Sequence, residues 1–251
     1  MPLPDPESSP QVCTSGVECP LGFCDGSGWV CEKGDKPGYG TYSECLCLLQ
    51  RERKQRTERL LQSAQVPTEY ADVRLIGLDG RHHNALTASA RYVSNWPDEH
   101  GRGLLYVGDV GVGKTTMAFG VFNGLLARGV EGIATNGPRL LRDLGRGTVD
   151  KQLDARLDLL IAAPLLLIDD MAAHRTATQF AAECVYQIVH ERYAARRPTL
   201  YTAMYDVPAW GGTEDPKIGQ LWRAIGSRVI DRSEAFLLDG PDRRTERLQS
   251  T

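Results

Sequence analysis

Apolar residues in this chain fall into two kinds of run. Leu104–Val107, Leu165–Ile168 and Thr199–Ala203 are short and nearly unbroken. Runs of that length bounded by polar or glycine-rich stretches predict strands buried on both faces of a parallel sheet. Gly132–Thr135 and Ala235–Leu238 fit two more strands, making five. Between them apolar positions recur at helical spacing. A helix follows the first run and reaches about Ala127, where Gly129 stands in the usual C-terminal position. Others fit Arg139–Leu144, Val149–Ala162, Ala177–Ala195 and Ile218–Ile230. Strands alternating with helices in this way define an α/β fold, a parallel five-stranded sheet covered on both sides.

The opening of the chain follows neither pattern. It is rich in glycine and poor in aliphatic residues as far as a helix predicted over Leu46–Gln62. That helix has Arg51, Arg53, Lys54, Arg56 and Arg59 on its exposed side and Leu48, Leu49, Leu60 and Leu61 for packing. The pattern stops at Val66-Pro67. The expected organisation is a disordered stretch over residues 1–10, a small ribbon-and-helix module over 11–65, and the α/β domain over 66–251.

Composition narrows the chemistry. With 29 Lys+Arg against 32 Asp+Glu the net charge is −3, which excludes a highly basic nucleic-acid coat and leaves any such contact to a local patch. The first twenty residues lack an apolar core, and the longest apolar run is broken by Pro164. No membrane association is expected, and a cytoplasmic location is.

Six of the seven cysteines (Cys13, Cys19, Cys24, Cys31, Cys45 and Cys47) precede residue 48. A segment with so little aliphatic content needs a staple. Thiols kept reduced favour a metal over disulfides. Cys19 and Cys24 form one knuckle, Cys45 and Cys47 another, with Gly26, Gly28, Gly38 and Gly40 as turn residues between them. Four thiolates close a tetrahedral structural Zn²⁺ site. Cys19, Cys24, Cys45 and Cys47 are the expected ligands, with Cys31 and then Cys13 as substitutes.

Gly108-Asp109-Val110-Gly111-Val112-Gly113-Lys114-Thr115 fits G-x-x-x-x-G-K-[ST] at every position, with a strand before it and a helix after. Glycines let backbone N–H groups converge on phosphates, and the helix that follows, through Thr116, presents unpaired N–H groups and the positive end of its dipole. Lys114 is expected to reach the β- and γ-phosphates of ATP and Thr115 to supply a hydroxyl to Mg²⁺. The apolar strand ends in Asp169-Asp170. Asp169 is the expected Mg²⁺-side carboxylate, and Asp170 the residue that polarises the attacking water.

With these motifs in order, the chain resembles AAA+ ATPases of the bacterial replicative-helicase loader family, the DnaC/DnaI group. The resemblance is carried by Arg102–Thr115, Leu165–Asp170, Ile188–Tyr193, Arg197–Thr202, Gly226–Arg232 and Gly240–Arg244, with Val66–Tyr70 as the lead-in. It covers about residues 66–251, and the cysteine module is similar to the amino-terminal zinc ribbon of some loaders. The resemblance implies an ATPase domain whose nucleotide lies between self-associating subunits. Arg228 and Arg232 of one subunit would reach the neighbour's γ-phosphate, and Arg244 would approach from the carboxyl-terminal side. It also implies a replicative DNA helicase as partner, gripped by the zinc module. Single-stranded DNA would be the second ligand, met by Arg139, Arg142, Arg146 and Lys151. Where the family presents Ser-Asn after its fourth strand, this chain has Thr202-Ala203-Met204-Tyr205. Methionine cannot orient a water, so Thr202 would have to substitute or hydrolysis would be slow. Two other functions fit less well: an IstB-type transposition helper, which does not typically begin with a zinc ribbon, and a nucleotide-gated DNA-binding adaptor with negligible hydrolysis.

Overall fold

A computed structural model describes residues 19, 21–24, 27–33, 40–78, 80–98, 100–145, 151–171, 178–204 and 207–243. The chain divides into two units, Met1–Glu58 and Arg59–Thr251. The division falls inside the first helix rather than after it. Residues 1–10, for which disorder is expected, lie outside the described residues.

In the first unit β1 (Trp29–Lys33) and β2 (Gly40–Glu44) form an antiparallel pair, with Cys31 opposite Tyr42. Cys45 follows β2 directly and leads into α1 (Leu46–Ser63).

The second unit contains the five strands expected: β3 (Gly103–Gly108), β4 (Gly132–Asn136), β5 (Leu165–Asp169), β6 (Thr199–Ala203) and β7 (Ser233–Leu238). Their order is β4-β5-β6-β3-β7, and every pairing is parallel. Successive side chains on a strand point to opposite faces. Leu165 and Leu167 therefore enter one core with Leu104, Tyr106 and Leu200, while Leu166 and Ile168 enter the other with Leu105 and Tyr201.

Helices cover both faces. On the first lie α2 (His83–Ser94) and α3 (Lys114–Ala127), whose Met117, Phe119, Phe122 and Leu126 are buried. On the second lie α4 (Gly137–Gly145), α5 (Lys151–Ala162), α6 (Gln179–Ala194) and α7 (Pro216–Asp231). Helix ends follow local chemistry. The carboxylate of Asp215 accepts from the Lys217 and Ile218 amides at 2.8 and 3.4 Å, with Pro216 in the first turn. At the end of α3, Gly129 and Val130 donate to Leu126 and Leu125, which satisfies two carbonyls.

The lead-in Val66–Tyr70 is fixed to α3. Tyr70 stacks on Phe119 with ring centroids 4.6 Å apart, and the Asn123 side-chain amide donates to the Tyr70 and Val73 carbonyls at 2.7 and 3.1 Å. Helix α2 was not expected from the sequence. It buries only small residues, Ala85, Ala88 and Ser89, so its apolar stripe is faint. Ser89 bonds the buried Tyr106 hydroxyl at 2.6 Å.

Candidate functional site

Two clusters of chemistry emerge, one in each unit. In the first unit the sulfur atoms of Cys19, Cys24, Cys45 and Cys47 all lie within 4.8 Å of one another. Cys19 and Cys45 are 3.9 Å apart and Cys24 and Cys47 3.4 Å. Zinc–sulfur bonds of about 2.3 Å in a tetrahedron require sulfurs about 3.8 Å apart, so the donor set fits that ion. Burial raises the Cys19 thiol, but amide bonds from Cys24, Leu21 and Phe23 outweigh it and bring Cys19 down to about 6. Burial and the neighbouring thiols push Cys47 up to about 12. The first thiolate thus opposes the next, which is the arrangement a dication relieves. The two substitutes are not described as ligands: Cys13 lies outside the described residues, as does the side chain of Cys31.

In the second unit the Gly108–Gly113 loop joins β3 to α3, as its motif requires. Gly111 has φ +79°, and a β-carbon there would collide with the Asp242 carboxylate. Gly113 has φ +107° and ends the loop at the first turn of α3. The Lys114 ammonium lies within the loop, donating to the Gly108 and Asp109 carbonyls at 2.9 and 2.7 Å. Val110 is exposed and Val112 buried, which anchors one flank of the loop in the core. His82, on the turn before α2, is buried and contacts the Val112 carbonyl through Nε2 at 3.2 Å. Beside it a cleft is lined by His82, His83, Asn84, Phe236, Leu237 and Asp239.

Asp169 stands at the tip of β5. It accepts from the Thr115 hydroxyl at 2.8 Å and from the Thr202 hydroxyl at 2.6 Å. Burial raises its pKa; those two hydroxyls and Lys114 oppose the rise, while Asp170 adds to it. Thr115 and Asp169 are thus adjacent, as a shared Mg²⁺ would need. Asp170 is exposed and has φ +55°, a left-handed conformation that costs an ordinary residue roughly 1–2 kcal/mol. Its amide donates to the same Thr202 hydroxyl at 2.8 Å. Thr202 is 1% exposed, and its hydroxyl serves the Asp169 carboxylate and the Asp170 amide rather than the missing asparagine's water. Met204 is 40% exposed.

Sequence reasoning singled out Arg244, which lies outside the described residues. It missed the neighbours. The Arg243 amide donates to the Gly111 carbonyl at 3.2 Å, and the Arg243 guanidinium carbon lies 3.2 Å from where a β-carbon on Gly113 would stand. The segment through Asp242-Arg243 therefore rests on the loop itself. No local signal could have revealed this, because the approach is made by the chain beyond β7.

Arg228 and Arg232 lie elsewhere. The Gly103 amide, at the start of β3, donates to the Arg232 carbonyl at 2.9 Å, and the Arg232 side chain reaches the His100 carbonyl at 3.1 Å. The glycine loop begins at the other end of β3, about 16 Å away at strand rise.

On α4, Arg139 and Arg142 are exposed but share one acid. Asp143 lies 3.6 Å from Arg139, 3.9 Å from Arg142 and 3.0 Å from Arg156. Arg146 and the side chain of Lys151 lie outside the described residues. Among the described residues no helix is long and apolar enough to cross a membrane.

Known proteins resemble this chain in sequence and in fold. The family model described as IstB-like ATP binding protein matches residues 38–250. An ATP-binding protein of an insertion sequence in Mycobacterium tuberculosis is 29% identical over 150 residues, covering 59% of this chain and 58% of that protein. The replicative helicase loader DnaI of Bacillus subtilis is 24% identical over 153 residues, covering 57% and 48%. The chain thus spans about half the length of these relatives. Among solved structures, a crystal structure of DnaI superposes with a TM-score of 0.59 at 25% identity, covering 72% of this chain and 95% of that one.

Proposed function

The chain belongs to the IstB-like ATP-binding protein family, and from that premise we propose that it is an AAA+ ATPase that loads a replicative DNA helicase onto single-stranded DNA under ATP control. One observation carries the ATP-dependent part. Arg228 and Arg232 sit at the end of β3 remote from the chain's own glycine loop. A guanidinium that far from its own cradle can meet a γ-phosphate only on another subunit.

In this reading the phosphates of ATP lie on Gly108–Thr116, with Lys114 and Arg243 as the nearby cations. The base and ribose extend into the cleft beside His82. Thr115 and Asp169 hold Mg²⁺, which would neutralise phosphate charge. Asp170 orients the water. With Thr202 committed to Asp169 and Asp170, no buried polar side chain among the described residues at the end of β6 is left to align that water. Hydrolysis is accordingly slow, and the protein acts as a switch. ATP joins subunits, arginines from the neighbour complete the site, and turnover releases them. Zinc held by Cys19, Cys24, Cys45 and Cys47 keeps the ribbon folded as the surface that grips the helicase, over roughly residues 11–65. Arg139, Arg142, Arg146 and Lys151 meet DNA phosphates. Asp143 reduces the free charge of that stripe, so DNA binding is weak and falls with salt.

A second reading is favoured by the insertion-sequence relative, whose identity exceeds that of DnaI. In it the chain assists a transposase on duplex DNA. Pull-down with purified replicative helicase separates the two. The intact chain should retain helicase, and a Cys45→Ser/Cys47→Ser variant should not. Failure of the intact chain to bind, together with ATP-dependent assembly on duplex DNA, would favour the transposition helper.

A further inference from the structure

Arg228 of α7 and Arg232, which follows that helix, do not hang free. Tyr186 and Tyr193 of α6 lie against them. The Arg228 guanidinium is 5.0 Å from the Tyr186 ring centroid and 5.9 Å from that of Tyr193, and Arg232 is 4.9 Å from Tyr193. Arg228 also donates to the Tyr186 hydroxyl at 3.2 Å and to the Ala224 carbonyl at 2.9 Å. Both Nε atoms are buried and have no hydrogen-bond partner among the described residues. Gly101, Arg196 and Arg197 line the same cleft.

Among the described residues, the acid paired with these arginines is Asp231. Its Oδ2 lies 4.0 Å from Arg232 Nε, too far for a hydrogen bond. That same oxygen accepts from the Tyr193 hydroxyl at 2.9 Å. Tyr193 therefore does two things at once. Its ring face supports both guanidinium groups without neutralising them, as a π face does and a carboxylate does not. Its hydroxyl bonds the acid that pairs with Arg232 at 4.0 Å, so that carboxylate is shared rather than closed onto the guanidinium.

We propose that Tyr193 is a positioning residue for Arg228 and Arg232, holding both charges aligned before a neighbouring subunit's triphosphate arrives. The inference rests on the reading of those arginines as acting between subunits. Arginine has many rotamers, and ordering two of them only at assembly would weaken the contact. Tyr193 orders them in advance.

The test measures ATP turnover and ATP-dependent self-association, by sedimentation velocity, for the full chain. Tyr193→Met and Tyr193→Leu keep bulk without a π face. Each should lower kcat about tenfold and raise the protein concentration needed for assembly by a similar factor. ATP affinity of the dilute protein and the thermal melting point should stay near wild type. Tyr193→Phe keeps the ring and should fall by no more than about threefold, a deficit that Asp231→Asn repairs. In an Arg228→Ala/Arg232→Ala background Tyr193→Met should add nothing. If Tyr193→Met and Tyr193→Leu match wild type while the arginine variants are defective, the inference fails and the inter-subunit reading stands. If Arg228→Ala and Arg232→Ala both leave turnover and assembly unchanged, the inter-subunit reading fails and takes this one with it.

Discussion

Thr202 shows how one hydroxyl can hold two successive acidic residues, one by its carboxylate and one by its amide. It donates to Asp169 and accepts from the amide of Asp170, which keeps the second acid in its left-handed conformation. Thr202→Val removes both bonds at nearly constant volume. It should lower kcat at least about tenfold with little change in KM, and cost about 1–2 kcal/mol in urea unfolding. Arg192 is the opposite case, a cation with no part in the chemistry. It is 1% exposed and donates to the carbonyls of Leu160, Ile161, Ala163 and Pro198 and to the Thr199 hydroxyl. Burial draws its pKa down to about 10. It joins the end of α5 to the start of β6, and Arg192→Met should destabilise the chain by about 3 kcal/mol or more in the same assay. Lysine cannot replace it, having three donors at one point. The glycine loop was legible from sequence because its eight residues are consecutive. Asp242 and Arg243 were not, because only the folded chain brings them to Gly111 and Gly113.

Elements differ in how openly the sequence declares them. Strand β5 reads directly as Leu-Leu-Leu-Ile, since both faces of a central parallel strand are buried. Helix α2 hides, because Ala85, Ala88 and Ser89 give close packing without a strong apolar period. The turn Val207–Gly211 went unread too, although it carries Trp210, which meets Trp222 of α7 edge to face. The sequence of the β1–β2 ribbon is poor in aliphatic residues, so its order is expected to depend on the four thiolates. Chelation by a strong zinc ligand should unfold the first unit while the second keeps its thermal transition, as read by differential scanning calorimetry. Structural zinc contributes on the order of 10–16 kcal/mol in small domains, so loss of the metal should be all or none for the ribbon. One zinc per chain should be found in the intact protein and none after Cys45→Ser.

At the scale of the whole molecule, the sheet sets cradle and arginines at opposite ends of β3. On the proposed reading, that separation leaves a single chain incomplete and makes an assembly of chains competent. Most of the fold was legible in the sequence; the geometry of the site was legible only in part. Arg228 and Arg232 were singled out by resemblance, since nothing in their spacing alone marks them as remote from Lys114. Two broken proteins test the account most directly. Lys114→Ala has arginines but no working cradle; Arg228→Ala/Arg232→Ala has a cradle but no arginines. Each should hydrolyse ATP poorly alone. Mixed at equal concentration, they should give turnover well above the sum of the separate rates, because the first lends its arginines to the nucleotide held by the second. Strict additivity, in a mixture that sedimentation shows to be co-assembled, would contradict a site shared between subunits.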